Sequence, residues 1–354
     1  MRLEKRAQAS PAALLLAPIG AVLFTLGVSA LLVLWAGAPI GRTYSAIFSG
    51  GFGSVFALSE TFARAIPLIL TGLAATVAFK ARLFNIGAEG QFYGGAMAAV
   101  AVGGLNAGGE LWASPWLVFP LMLLAAAGVG ALLLLGPALL KMRLGVDEVV
   151  TTLLMNFIVL LGVSALLDGP MKDPSALGWP QSLPLAGELE LARPLEGTRL
   201  HSGLFIAFSL AVALWAVFKH TVLGFDIRAT GANARAAAFA GVPALRTAVW
   251  VALMSGALAG LAGAVEVAGR TGYVTMDMSP GYGYTGIVIA MLAGLHPLGV
   301  LAASVFVAGV LVGADSMSRA VGVPTYIADV IVATSLIAVL VATLLTQYRL
   351  RWRR

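Results

Sequence analysis

The chain has 354 residues, 60% of them hydrophobic and only 11% charged, with a mean hydropathy of +0.95. A soluble domain carries about 25% charged residues, so this composition excludes a soluble globular enzyme and indicates a polytopic membrane protein. Cysteine is absent, which excludes disulfides, Cys-ligated zinc and thiol catalysis, and the net charge of +6 comes from basic residues in short loops, where it sets orientation in a membrane rather than marking a nucleic-acid surface.

Hydropathy draws ten spans, near residues 13–36, 62–80, 85–105, 115–136, 148–167, 202–219, 244–268, 284–295, 298–314 and 326–346. The first follows Met-Arg-Leu-Glu-Lys-Arg and runs apolar from Ala12 to Ala36. A cleaved signal peptide has an apolar stretch of only about 7–15 residues, so this run reads as a retained helix. The eighth is too short to cross ~30 Å of hydrocarbon, so it reads as a half-helix or as a helix that begins earlier. With the N-terminus inside, 15 Lys and Arg fall on the cytoplasmic side and 7 outside, together the chain's 22. That bias predicts both termini in the cytoplasm. The segment Asp168–Leu200, rich in Pro, Gly and Glu, is then an outer loop with no core of its own.

Polar residues inside apolar segments are the candidate functional groups. The third span opens on Asn85-Ile-Gly-Ala-Glu-Gly-Gln91. Glu89 here either supports a helix start, favoured by the positive N-terminal dipole, or lines a solute pathway with Asn85 and Gln91. The fifth opens on Asp147-Glu148 and continues through Thr152 and Asn156. Glu148, Thr152 and Asn156 are spaced i, i+4, i+8 and share one helix face. Interhelical hydrogen bonding explains that face; the alternative places Asn156 on the pathway. Glu266 and Arg270 have the spacing of an i,i+4 pair near the outer end of the seventh span, and Asp329 stands at the outer start of the tenth.

The stretch Gly281-Tyr-Gly-Tyr-Thr-Gly286 matches G-x-G-x-x-G, but no strand surrounds it, so it is no dinucleotide site. Glycines opening a short membrane helix suggest a broken element over a cavity. Tyr273, Tyr282 and Tyr284 are there either to pack at the interface or to stack on a sugar or base, and Tyr282 joins Asn85, Glu89, Gln91 and Asn156 as a candidate pathway residue. Gly256/Gly260 and Gly309/Gly313 read as helix-packing pairs. His201, His220 and His296 lack metal spacing, no metal site is expected, and no phosphate-cradling G-x-x-x-x-G-K-[ST] occurs, so this chain is neither an ATPase nor any other enzyme. The segments Leu70–Thr76 and Ser255–Leu261 are small-residue helices running in opposite directions, as in an inverted repeat.

One polar, basic loop separates two long apolar segments. Thr221 to Gly241 reads T-x-x-G-x-x-x-R-A-x-G-x-N-x-x-A-A-x-x-A-G. Asn233 is a good N-cap for Ala234–Ala240. Gly224, Gly231 and Gly241 are expected to break helix at the start of the loop, before the short helix and after it. Arg228 and Arg235 face outward for a partner, and Phe239 offers an aromatic anchor.

Taken in order, Pro67–Leu73, Asn85–Gln91, Glu148–Asn156, Thr221–Gly241, Ser255–Ala264 and His296–Gly299 resemble the permease subunits of ABC importers for simple sugars, nucleosides and branched-chain amino acids. The Asn85–Gln91 element is similar to the sugar and nucleoside branch. The resemblance implies an all-α integral membrane fold of the type II importer permease kind, with the whole chain, 1–354, as a single transmembrane domain. Residues 168–200 would form the outer loop and residues 220–246 the cytoplasmic coupling loop. It also implies the partners: ABC ATPase subunits carrying ATP and Mg, a second permease that is a different chain or a second copy, and an extracytoplasmic solute-binding protein. The location would be a bacterial-type inner membrane, and no nucleic acid is involved. The family's coupling helix corresponds to the loop holding Gly224, Arg228, Gly231, Asn233, Arg235, Phe239 and Gly241. A secondary transporter is the competing reading; it needs an ion site at mid-membrane, whereas Glu89, Glu148, Glu266, Asp315 and Asp329 all fall near span ends.

Overall fold

A computed structural model describes residues 2–5, 11–104, 110–322 and, beyond these, 330, 333–334, 337–338, 341–342 and 348–351. The tenth span expected at 326–346, with Asp329, lies outside the described residues apart from isolated helical positions. The chain forms two compact units, Met1–Phe62 with Val305–Arg354, and Ala63–Ser304. Among the described residues, six helices are long and apolar enough to cross a membrane, or seven if one bent pair counts as a span.

In the first unit, α1 (Pro11–Trp35) starts on a proline, whose missing N–H costs nothing in a first turn. It ends at Gly37, whose φ of +74° is a left-handed conformation that suits glycine. The axis then turns by 120° into α2 (Ile40–Phe52). Hydropathy assigns nothing to residues 37–61, because the Gly, Ser and Thr of α2 dilute its apolar signal. Val33, Ala38, Ala314 and Met317 form the local core. Gly309 and Gly313 are helix-packing glycines, as their spacing predicts: an added Cβ would stand 2.0 Å from the Phe52 ring and 2.3 Å from the Ile47 carbonyl. A two-stranded antiparallel ribbon pairs β1 (Arg2–Lys5) with β2 (Tyr348–Arg351), from Arg2 opposite Arg351 to Lys5 opposite Tyr348. The two ends therefore lie side by side, the single departure from helix in named elements among the described residues.

The unit boundaries fall within α3 (Val55–Lys80) and α12 (Pro297–Val321). The second unit is built from α4 (Ala88–Gly103), α5 (Pro115–Leu144), α6 (Glu148–Asp168), α7 (Gly203–His220), α8 (Val222–Ala232), α9 (Ala234–Phe239), α10 (Ala244–Glu266) and α11 (Tyr282–Leu292). The helix of the expected third span is α4; it has 16 residues, about 24 Å at 1.5 Å per residue. Thirteen of the sixteen are buried, because α4 packs against α5, α6, α10 and α11. Glycines permit this. An added Cβ at Gly95 would lie 2.2 Å from the Gly260 carbonyl, and at Gly263 2.0 Å from the Phe92 carbonyl. By contrast α6 leaves Leu154, Phe157, Ile158 and Leu161 exposed, the apolar outer face a lipid-facing helix needs.

At its far end α10 passes into a π-helical turn, Val267–Thr271. α11 is the short apolar helix the sequence suggested, beginning earlier than hydropathy placed it. The loop 168–200 does bury side chains, though against its neighbours rather than in a core of its own. Leu185, Ala186, Leu189 and Leu191 are buried, and Leu185, Ala186 and Leu191 donate backbone N–H bonds to Gly272, Gly103 and Ala268.

Candidate functional site

The polar residues of the third and fifth expected spans converge on one interior network. Between α3 and α4 the chain has no regular secondary structure through residues 83–86, so its backbone groups need partners from elsewhere. The shared face of α6 supplies them in sequence. Glu148 accepts from the Phe84 N–H at 3.3 Å, and Thr152 Oγ1 accepts from the Ile86 N–H at 3.2 Å. Asn156 accepts from the Gly90 N–H at 2.7 Å and donates to the Ile86 carbonyl at 2.8 Å. Lys141, from the last turn of α5, donates to Glu148 and to the Arg82 carbonyl. The i, i+4, i+8 pattern is thus a ladder of side chains satisfying an irregular strand of backbone.

Asn85 and Gln91 close on each other as a reciprocal amide pair, Nδ2 to Oε1 at 2.9 Å and Nε2 to Oδ1 at 3.0 Å. Asn85 also donates to Ser255 Oγ at 3.1 Å, and Ser255 donates to the Ala74 carbonyl at 2.7 Å. The two small-residue segments singled out from sequence therefore meet directly. Glu89 Oε2 accepts from the Gly283 N–H at 2.6 Å. It stands in the first turn of α4 and also at the first turn of α11, so both positive helix ends favour its charge. An added Cβ at Gly283 would lie 2.2 Å from the Glu89 nitrogen, so only glycine lets α11 come this close.

All five candidate pathway residues are brought into or beside this interior. Exposure is 0% for Asn85, 4% for Glu89 and 1% for Gln91, Asn156 and Tyr282. Tyr282 belongs to a neighbouring cluster, where Arg270 Nη1 donates to its hydroxyl at 2.9 Å and to Glu266 Oε1 at 2.8 Å. The expected Glu266–Arg270 pair forms, but Glu266 is fully buried rather than at a wet helix end. The Tyr282 carbonyl accepts from Thr71 at 3.0 Å.

Tyr284 is the network's outlet: its hydroxyl accepts from Asn156 Nδ2 at 3.2 Å while 39% of the residue is exposed. Tyr93, Ser255 and Ser279 were not singled out from sequence as site residues. Tyr93 OH donates to the Met276 carbonyl and accepts from the Ser279 N–H, at 2.7 and 3.2 Å, and no local pattern announces such distant partners. His201 is buried beside Gly269; burial, then Arg193 and Arg270, push its imidazole down to about 4, so it is neutral. Among the described residues no group of His, Asp and Glu is arranged to hold a metal.

The second candidate site is the loop between α7 and α10. It is mostly helical, α8 and α9 meeting at Asn233. Thr221 caps α8 by accepting from the Gly224 N–H at 3.1 Å. Asn233, extended at φ −158° and ψ 103°, caps α9 by accepting from the Arg235 and Ala236 N–H groups, both at 3.1 Å. Gly224 and Gly231 lie inside α8 and do not break it. They allow close approach instead: an added Cβ would stand 2.2 Å from the Val217 carbonyl and 1.9 Å from the Lys80 carbonyl. Gly241 does terminate the short helix, at φ +88°. Arg228 and Arg235 are exposed, Ala237 is the buried residue of α9, and Phe239 is 96% exposed.

Comparison with known proteins agrees with this architecture. The guanosine ABC transporter permease protein NupP of Bacillus subtilis is 35% identical over 90% of this chain and 91% of its own length. The glucose ABC transporter permease protein TsgB13 of Haloferax volcanii is 35% identical over 94% of this chain and 88% of its own. NupQ of Bacillus subtilis, also a guanosine ABC transporter permease protein, is 28% identical over 70% of this chain and 77% of its own. The model of the family described as branched-chain amino acid transport system / permease component matches residues 57–340, and the chain, a multi-pass ABC transporter permease, belongs to that family.

Proposed function

We propose that the chain is one of the two membrane halves of an ATP-driven importer of nucleosides or simple sugars, and that α8 and α9 couple it to a separate ATPase subunit. The observation that carries this reading is Phe239. A fully exposed aromatic on a capped, six-residue helix, flanked by Arg228 and Arg235, is a surface prepared for a partner. Gly224 and Gly231 seat α8 against α7 and the end of α3, so a push on Phe239 reaches the spans. Two relatives whose printed names say guanosine and glucose support a nucleoside or sugar as solute. NupP and NupQ, two permeases of one organism that both match this chain, support a non-identical second permease. The solute-binding protein, the ATP and Mg on the ATPase, and the inner-membrane location follow from the resemblance.

In this mechanism the chain performs no covalent chemistry. ATP and solute bind the outward- and inward-open states with different affinities, and the coupling loop transmits that difference. Asn85, Glu89, Gln91 and Asn156 hold α4 and α11 in place beside the pathway, and Tyr284 presents its exposed ring to the solute. Phe239→Ala or Ala237→Glu, assayed in proteoliposomes with all subunits, abolishes ATP-driven uptake while the solute-binding protein still docks; wild-type uptake by both variants would exclude this loop as the coupling element. Single cysteines at Ser175 and Ala234 label from opposite sides of the membrane, Ala234 from the side of the termini; same-side labelling would overturn the ten-span orientation.

A further inference from the structure

A cavity of about 200 Å³ lies behind the coupling loop, walled by Ala81, Arg82, Leu83, Lys141, Thr230 and Ala248 among others. It sits where α3 and α5 end and α10 begins. All three belong to candidate membrane spans, so the cavity is at the depth of lipid headgroups rather than of hydrocarbon. We propose that it binds the phosphodiester headgroup of an anionic phospholipid. This does not depend on which solute or ATPase the transporter uses.

Two observations carry the assignment. The first is charge. Arg82 and Lys141 are the ionic residues of the wall, and Lys141 is already paired with Glu148. One positive charge is left over, which matches the single negative charge of a phosphodiester. A zwitterionic lipid brings a second cation that this wall repels. The second is backbone strain. Arg82 has a left-handed φ of 56°, a conformation non-glycine residues hold at a cost and often at ligand clamps. Lys141 fixes that turn by donating to the Arg82 carbonyl at 2.8 Å, leaving the exposed guanidinium to act outward.

The remaining wall, Ala81, Leu83, Ala234, Ala244 and Ala248 among it, suits the glycerol backbone and first acyl carbons. Basic pockets between membrane helices on the cytoplasmic side recognise lipid headgroups in this way. A lipid seated here would touch Thr230 on α8 and Ala234 on α9, tying the stiffness of the coupling loop to the bilayer's anionic content.

The test uses the full chain in detergent, titrated with short-chain phosphatidylglycerol, phosphatidylcholine or inorganic phosphate. Retained lipid is read by native mass spectrometry and stabilisation by thermal melting. Phosphatidylglycerol is expected to bind at least tenfold more tightly than phosphatidylcholine. Arg82→Ala and Ala248→Phe should erase most of that preference, Arg82→Lys should restore part of it, and Lys172→Ala in the outer loop should leave it unchanged. Equal binding of the two lipids by the wild type would overturn the proposal. So would an unchanged preference in Arg82→Ala, whose exposed side chain can be removed without a folding penalty. Displacement of phosphatidylglycerol by millimolar inorganic phosphate would reassign the cavity to a soluble anion.

Discussion

The interior network around α4 and the α8–α9 loop are both rich in polar groups, yet they are finished to different degrees. In the network each of Asn85, Gln91 and Asn156 meets a protein partner, and these three are 0–1% exposed. In the loop, one residue of α9 is buried and Phe239 is 96% exposed. The network is complete within one chain; the loop is complete only against another. Substitutions should therefore separate: network variants lose stability first and transport as a consequence, whereas a variant at the exposed Phe239 loses coupling with stability intact.

The largest effect is expected where backbones touch. In Gly95→Val the added carbons meet the Gly260 carbonyl, 2.2 Å from an ideal Cβ, and neither backbone has a flexible side chain to move aside. Overpacking of this kind costs about 1–3 kcal/mol or more, and at a backbone-to-backbone contact α4 should not seat at all. Loss of folded protein in size-exclusion chromatography is the expected outcome. A well-behaved monodisperse variant would show that α4 and α10 are not in the described contact.

Asn156→Leu comes next. It strands the Gly90 N–H and the Ile86 carbonyl inside the protein, at a cost on the order of 2–4 kcal/mol. A lowered melting temperature, with residual uptake tracking the folded fraction, fits the ladder. Full stability with abolished uptake would instead place Asn156 on the solute pathway. Phe239→Ala is the matched control from the loop, because it removes no internal contact that stability depends on.

The two regions also differ in how much of each was legible in the sequence. The loop was nearly complete: the Asn233 cap, the short helix and the exposed Phe239 all follow from residues adjacent in the chain. What was misread there was the reason for two glycines, since Gly231 answers to Lys80, and such a contact leaves no local mark. In the network, the common face of Glu148, Thr152 and Asn156 followed from helical periodicity, and the Glu266–Arg270 pair from i,i+4 spacing. Their partners did not. Glu89 caps α11 through Gly283, 194 residues away, and Ser255 reaches Ala74 across a helix interface. Hydropathy likewise could not tell that protein rather than lipid surrounds α4, because either environment suits a largely apolar helix.

The smallest effect, and the most discriminating, is expected at Glu89. Its Oε2 accepts one backbone N–H from the start of α11, and an amide oxygen can take that bond with little movement. Glu89→Gln therefore removes charge and keeps shape. What is lost is the attraction between a carboxylate and two helix N-termini, about 1 kcal/mol. In a unit of this size that corresponds to a fall of roughly 2–4 °C in melting temperature. If Glu89 acts only by positioning α11, uptake should fall in proportion to that small loss, and Glu89→Ala, which also abandons the Gly283 N–H, should fall further in both measures. A Glu89→Gln variant with unchanged melting and abolished uptake would show that the carboxylate meets solute directly. The network would then be as open to a partner as the loop is, and the contrast between the two regions would fail.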